Sequence, residues 1–138
     1  MIQRIQTLWL LLASACAFAT LQFSFFSGNK IVNNIKQFTS LTAKENIPLI
    51  VLTVAVAIAS LVTVFLYKDR KTQLKITIAV LILSIANIVL YFSAMKNYVE
   101  GTIDLTSVFA FIIPIFLLLA ARGIYKDERL IKSVDRLR

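Results

Sequence analysis

Lys68-Asp69-Arg70-Lys71, with Lys75 close behind, is the one strongly charged segment inside an otherwise apolar chain. Two hydrophobic runs precede it, near residues 5–26 and 47–67, and two follow it, near 76–95 and 105–124. Each run has about the length that carries a helix across roughly 30 Å of hydrocarbon. The chain has 138 residues, of which 59% are hydrophobic, and its mean hydropathy is +0.82. That exceeds the apolar share of ordinary soluble domains. The expected fold is all-α: a single domain over 1–138, built as a four-helix antiparallel transmembrane bundle with a cytoplasmic tail over 125–138.

The net charge is +8. In a membrane protein such an excess is first a matter of topology, because Lys and Arg stay on the cytoplasmic side. Four crossings put both termini and the central basic segment on one side. That side then holds Arg4, Lys68, Arg70, Lys71, Lys75, Arg122, Lys126, Arg129, Lys132, Arg136 and Arg138, which are 11 of the 15 basic side chains. Lys30, Lys36, Lys44 and Lys96 fall on the other side, nearly balanced by Glu45, Glu100 and Asp104. Both termini are therefore expected in the cytoplasm.

The first run also has the outline of a cleaved signal peptide, with Arg4, a Leu-rich core and Ala17-Phe18-Ala19 as the cleavage box. Its apolar character continues past that box, which favours a retained helix. Residues 28–45 are polar and open with the turn signal Gly28-Asn29. Ile31, Ile35, Phe38 and Leu41 lie three or four apart, so a short amphipathic surface helix and a plain loop both fit. Pro48 suits a first helical turn, and Pro114 is expected to bend the fourth helix. Tyr67-Lys68-Asp69-Arg70 is echoed by Tyr125-Lys126-Asp127-Glu128-Arg129. Duplication of a hairpin and convergent helix-end chemistry both produce such an echo.

Little in the sequence carries chemistry. There is no His, and Cys16 stands alone inside a run, so an intrachain disulfide cannot form. No acidic or basic residue lies in the body of a run, which argues against proton relays and ion paths. Ser14, Ser60 and Ser84 have no His or buried Lys to activate them and read as packing residues. Asn87 is the strongly polar side chain deepest in a run, and a helix–helix hydrogen bond is its expected role. Ala13/Ala17, Ala15/Ala19 and Ala55/Ala59 are small pairs at a spacing that lets helices approach closely.

The tail carries the clearest pattern. Ile124, Ile131 and Val134, with Leu130 and Leu137 beside them, form an apolar stripe at helical spacing, and Glu128 and Lys132 stand at i, i+4. This is a basic amphipathic helix continuing from the fourth span, resting in the bilayer plane or against a partner. Lys126, Arg129, Lys132, Arg136 and Arg138 are its candidate docking residues, for anionic lipid or for an acidic protein or RNA surface.

Two stretches carry a resemblance. The opening Met1-Ile2-Gln3-Arg4-Ile5-Gln6-Thr7-Leu8 with Leu10-Leu11-Leu12-Ala13 is one. The closing Arg122-Gly123-Ile124, Lys126-Asp127-Glu128 and Ser133-Val134-Asp135-Arg136-Leu137-Arg138 is the other. Together they resemble a four-helix inner-membrane family of Bacteroidota, a domain of unknown function. The resemblance implies a bacterial inner-membrane location and leaves activity open. Because it centres on the two chain ends, it adds weight to docking.

The expected role is thus a non-enzymatic accessory or scaffold subunit of an inner-membrane complex, with no cofactor or metal, a membrane-protein partner, and a homo-oligomer as one option. The alternative is a small-molecule or lipid carrier, working as a bundle or homodimer through Asn87 and the bend at Pro114. The topology has a direct check. Cysteines replacing Asn34 or Asn97 are expected to react with an impermeant thiol reagent from outside the cell and not from the cytoplasm.

Overall fold

A computed structural model describes the backbone of residues 2–137 and the side chains of residues 5–137. Four long helices alternate with short elements: α1 (Ile2–Gln22), α2 (Ile47–Phe65), α3 (Arg70–Met95) and α4 (Val108–Arg136). They pack in a closed ring, α1 on α2, α2 on α3, α3 on α4 and α4 back on α1. All four are long and apolar enough to cross a membrane.

What the helices bury points the same way as their length. In each apolar window only 28% to 33% of the residues are buried. The outward surface is Ile58, Leu61, Val62, Ile82, Ile85, Val89, Ile115 and Leu118. The interior holds Ser14, Thr53, Ser60, Thr63, Thr77, Ser84 and Asn87 among small and apolar residues. Water would select the reverse arrangement; hydrocarbon selects this one, since a polar side chain facing lipid has no partner. The buried hydroxyls are satisfied locally: Ser60 donates to the Val56 carbonyl at 2.7 Å and Thr77 to Gln73 at 2.8 Å. Others tie helices together. Ser14 donates to the Ala57 carbonyl at 3.1 Å, and the Gln73 amide to the Thr63 carbonyl at 3.1 Å.

At the apex of the α2–α3 turn Asp69 caps α3. Its carboxylate accepts from the Thr72 hydroxyl at 2.7 Å and, more loosely, from the Thr72 amide. The hydroxyl bond, ahead of the amide bond, holds this carboxyl below its ordinary range. The cap's contribution is therefore complete above the unfolded carboxylate's range, and is lost only as pH falls through the lower folded value.

The opposite end corrects the all-α expectation. Residues 28–45 form neither an amphipathic helix nor a plain loop. Strands β1 (Phe26–Val32) and β2 (Ile35–Leu41) make a hairpin, and β3 (Glu100–Ile103) joins it in the order β2-β1-β3, antiparallel throughout. The hairpin turns on Asn33 and Asn34, with φ of 52° and 64°. Two successive positive φ values make the turn whose twist matches paired strands, and Asn tolerates them. With Val32 opposite Ile35, the run of Ile31, Ile35, Phe38 and Leu41 is split between two strands, so its apparent helical spacing has no structural meaning.

The sheet is fastened to the bundle on its inner face. Phe26 and Leu41 join Phe25, Leu49, Tyr91, Ala94 and Ala110 in one apolar cluster, with Phe25 stacked on Tyr91 at 4.4 Å. Asp104 accepts from the hydroxyls of Ser24 and Ser27, and Thr106 donates to the Ser24 carbonyl, so the end of α1 is tied to the start of α4. Gly28 lies opposite Gly101 across β1 and β3. A Cβ on Gly28 would come within 2.2 Å of the Glu100 carbonyl oxygen, and one on Gly101 within 2.6 Å of the Phe26 ring. Valine at either position is therefore expected to push β3 off the sheet and cost about 1–3 kcal/mol, as overpacking does. Thermal unfolding of the detergent-solubilised protein would register it.

Candidate functional site

The end of the bundle that holds the start of α1, the end of α4 and the α2–α3 turn carries a cluster of polar side chains. Its centre is Asp127. This residue is only 4% exposed, although it belongs to the charged tail. The Gln6 side-chain amide of α1 donates to its Oδ2 at 2.5 Å. The Arg70 guanidinium, at the start of α3, lies 3.8 Å from the same oxygen. Gly123, one turn earlier on α4, makes room: a Cβ there would stand 2.9 Å from Gln6 Cγ. Three helices are thus joined by one carboxylate. Arg70 and Asp127 belong to the two echoed motifs, which meet here; Asp69 and Asp127, their matching acids, perform different tasks, one capping a helix and the other joining three.

The clamp was hidden in the sequence. Asp127 reads there as one more charge in the tail, and Gln6 as a residue at the start of the first apolar run. The signal available was Gly123, a small residue one turn before an acid.

Beyond Asp127 the structure places the sequence-predicted docking residues on the surface. Lys126, Arg129, Lys132 and Arg136 are all exposed. Lys132 pairs with Glu128 at 2.9 Å, the i, i+4 contact expected of a helix. Arg138 lies outside the described residues. The tail is not a separate element, because α4 runs for 29 residues from Val108 through Pro114 to Arg136 without a break. It therefore continues the fourth apolar helix without an intervening turn. Leu130, Ile131, Val134 and Leu137 are all exposed. A cleft of about 350 Å³ separates this projecting helix from the α2–α3 turn. Lys68, Lys71 and Lys132 line it together with Glu128 and Asp135, and Ile131 gives it an apolar wall.

Asn87 is far from this region, inside the bundle. Its amide donates to the Thr53 hydroxyl at 3.1 Å, joining α3 to α2. The Tyr91 hydroxyl, one turn on, engages Thr53 and Thr20. Of the small pairs, Ala13 and Ala17 are buried in the core, whereas Ala15 faces outward. Among the described residues no group of three His, Cys, Asp or Glu side chains stands close enough to hold a metal ion.

The chain matches one family over residues 2–137, nearly its whole length. It belongs to the family described as Domain of unknown function (DUF4293). No curated protein and no solved structure matches it. Both terminal stretches on which the resemblance rests fall inside that match. The structure brings them into contact, Gln6 from the opening and Gly123 and Asp127 from the closing.

The clamp separates charge from hydrogen bonding. Asp127→Asn keeps an acceptor for Gln6 and removes the ion pair; Asp127→Ala removes both and leaves the buried Gln6 amide without its acceptor. The alanine variant is expected to lose about 1–3 kcal/mol. The asparagine variant should lose less than half of that. Paired melting curves in the same detergent would show the order.

Proposed function

We propose that the protein is a non-enzymatic accessory or scaffold subunit of a bacterial inner-membrane complex, with both termini in the cytoplasm, and that it docks a partner on the projecting end of α4. One observation carries this reading. An unbroken helix leaves the clamp for about 13 Å, and it displays Leu130, Ile131, Val134 and Leu137 between exposed basic side chains. An anchor that served only topology would need positive charge in no particular order. Here apolar and basic residues are ordered on a preformed helix, the form in which a helix offers anchors to a groove. The 11-to-4 distribution of basic residues supports the orientation. The exposed cations favour an acidic surface, and the stripe favours a protein over bare lipid, because a helix continuing the span holds most of it away from the bilayer.

The carrier alternative has weaker support, since the Asn87 amide it would use for a ligand is engaged by Thr53.

The experiment must spare the clamp. Scrambling residues 128–138 while keeping Asp127 should leave topology and melting unchanged. Extraction in a gentle detergent followed by native mass measurement should then show the larger assembly lost. In the unscrambled protein, raised salt should weaken it, because exposed charges are screened over roughly 10 Å. A scrambled chain that keeps its partners, or complements a deletion strain, removes the docking reading.

A further inference from the structure

The outer hairpin presents a second surface, independent of the tail. Strand β2 has β1 on one side and an open edge on the other. Open edges are templates for further pairing, and proteins usually blunt them with proline, bulges, charge or shortness. β2 spans seven residues and contains no proline. Its one charge, Lys36, is turned toward Glu100 across the outer face at 3.7 Å. At its centre Phe38 is 75% exposed, on the outer face with Ile31.

We propose that two copies of this chain pair through β2, antiparallel about Phe38, giving a six-stranded sheet across a dimer. Three features fit a second copy. The first is hydrogen-bond phase. A two-residue turn makes Val32 and Ile35 a bonded pair, so Ile35, Gln37, Thr39 and Leu41 direct their backbone groups to β1. Lys36, Phe38 and Ser40 direct theirs to the open edge. A two-fold through Phe38 aligns Phe38 with Phe38 of the second copy, and Lys36 with its Ser40, so every outward group finds its complement. The second is charge. In this register no Lys opposes a Lys, and the residues flanking Phe38, Gln37 and Thr39, are neutral. The third is symmetry. Antiparallel pairing within one sheet has its two-fold normal to the sheet, which leaves both inner faces on the same side. Those inner faces pack on the bundle ends. Both bundles then enter one membrane in the same direction, as two copies of one chain must.

The test uses the full chain in native membranes, with Cys16→Ala as background and single cysteines at positions 36 to 40. In the proposed register the two residues 38 are about 5.5 Å apart at Cα, the residues 37 about 8 Å and the residues 36 about 14 Å. Disulfides close only below about 7 Å, so oxidation should give a dimer from Phe38→Cys at least about tenfold above that from Lys36→Cys. Equal yields across the five positions, or none at 38, would overturn the proposal. A second variant guards against a folding artefact. In Phe38→Pro the amide lost is one that β1 does not use, so melting should stay close to that of the parent while the native mass falls from dimer to monomer. A Phe38→Pro protein that melts like the parent and remains dimeric would also overturn it. Because the tail is untouched in every variant, failure here leaves the docking reading standing, and failure of the tail scramble leaves this one standing.

Discussion

Hydrocarbon supplies no hydrogen bonds, and each level of this structure fits that constraint. A backbone crossing it must satisfy itself, and the four apolar runs are helices despite the many Val and Ile residues that favour strands. Side chains follow the same rule. Thr53, Ser60, Thr63, Thr77 and Ser84 turn inward, where carbonyls one turn away or on a neighbouring helix accept their hydroxyls. Without a hydrophobic force between helices in lipid, close contact at Ala13, Ala17, Ala57 and Ala120 and the few polar crossings hold the ring together. Where the apolar runs end the chain changes character: a sheet at one end, a carboxylate clamp at the other.

The two ends solve one problem in different ways. Four helices in a ring need something to stop them splaying. At the sheet end an aromatic cluster around Phe25 and Tyr91 fills the space, and the Asp104 hydroxyl contacts tie the first helix to the last. At the terminal end Asp127 gathers the first, third and fourth helices through Gln6 and Arg70. Both closures use an acid that accepts from residues far away in sequence. Both stand at the edge of the apolar zone, where a carboxylate is less costly than at mid-membrane.

The parts of this architecture that depend on local composition were readable from the chain. Hydrocarbon thickness sets span length, so the four runs could be counted, and the stripe from Ile124 to Leu137 announced a helix that the structure carries through Arg136. What depended on distant partners was not readable. Ile31, Ile35, Phe38 and Leu41 fit a helical spacing equally well until Asn33-Asn34 is recognised as the hairpin turn. β3 is four residues long and exists because Gly28 and Gly101 allow two backbones to meet, a fact about a pair over seventy positions apart. Asp127 looked like one more tail charge because its burial is created by Gln6 and Gly123, neither of which signals burial by itself.

The continuity of α4 has a mechanical consequence. Pro114 is the single position in that helix lacking a backbone donor, so from Ile115 onward the ladder is uninterrupted over about 33 Å. The Gln6–Asp127 contact holds that segment about 18 Å from Ile115, and the chain just before the helix is fixed through Thr106 and Asp104. A clamp so placed would be a fulcrum, with about 13 Å of helix beyond it and about 18 Å before it back to Ile115. A force applied at Leu137 would therefore act inside as a torque about Asp127, and Pro114, with no amide to donate, marks the weakest rung of the ladder above it.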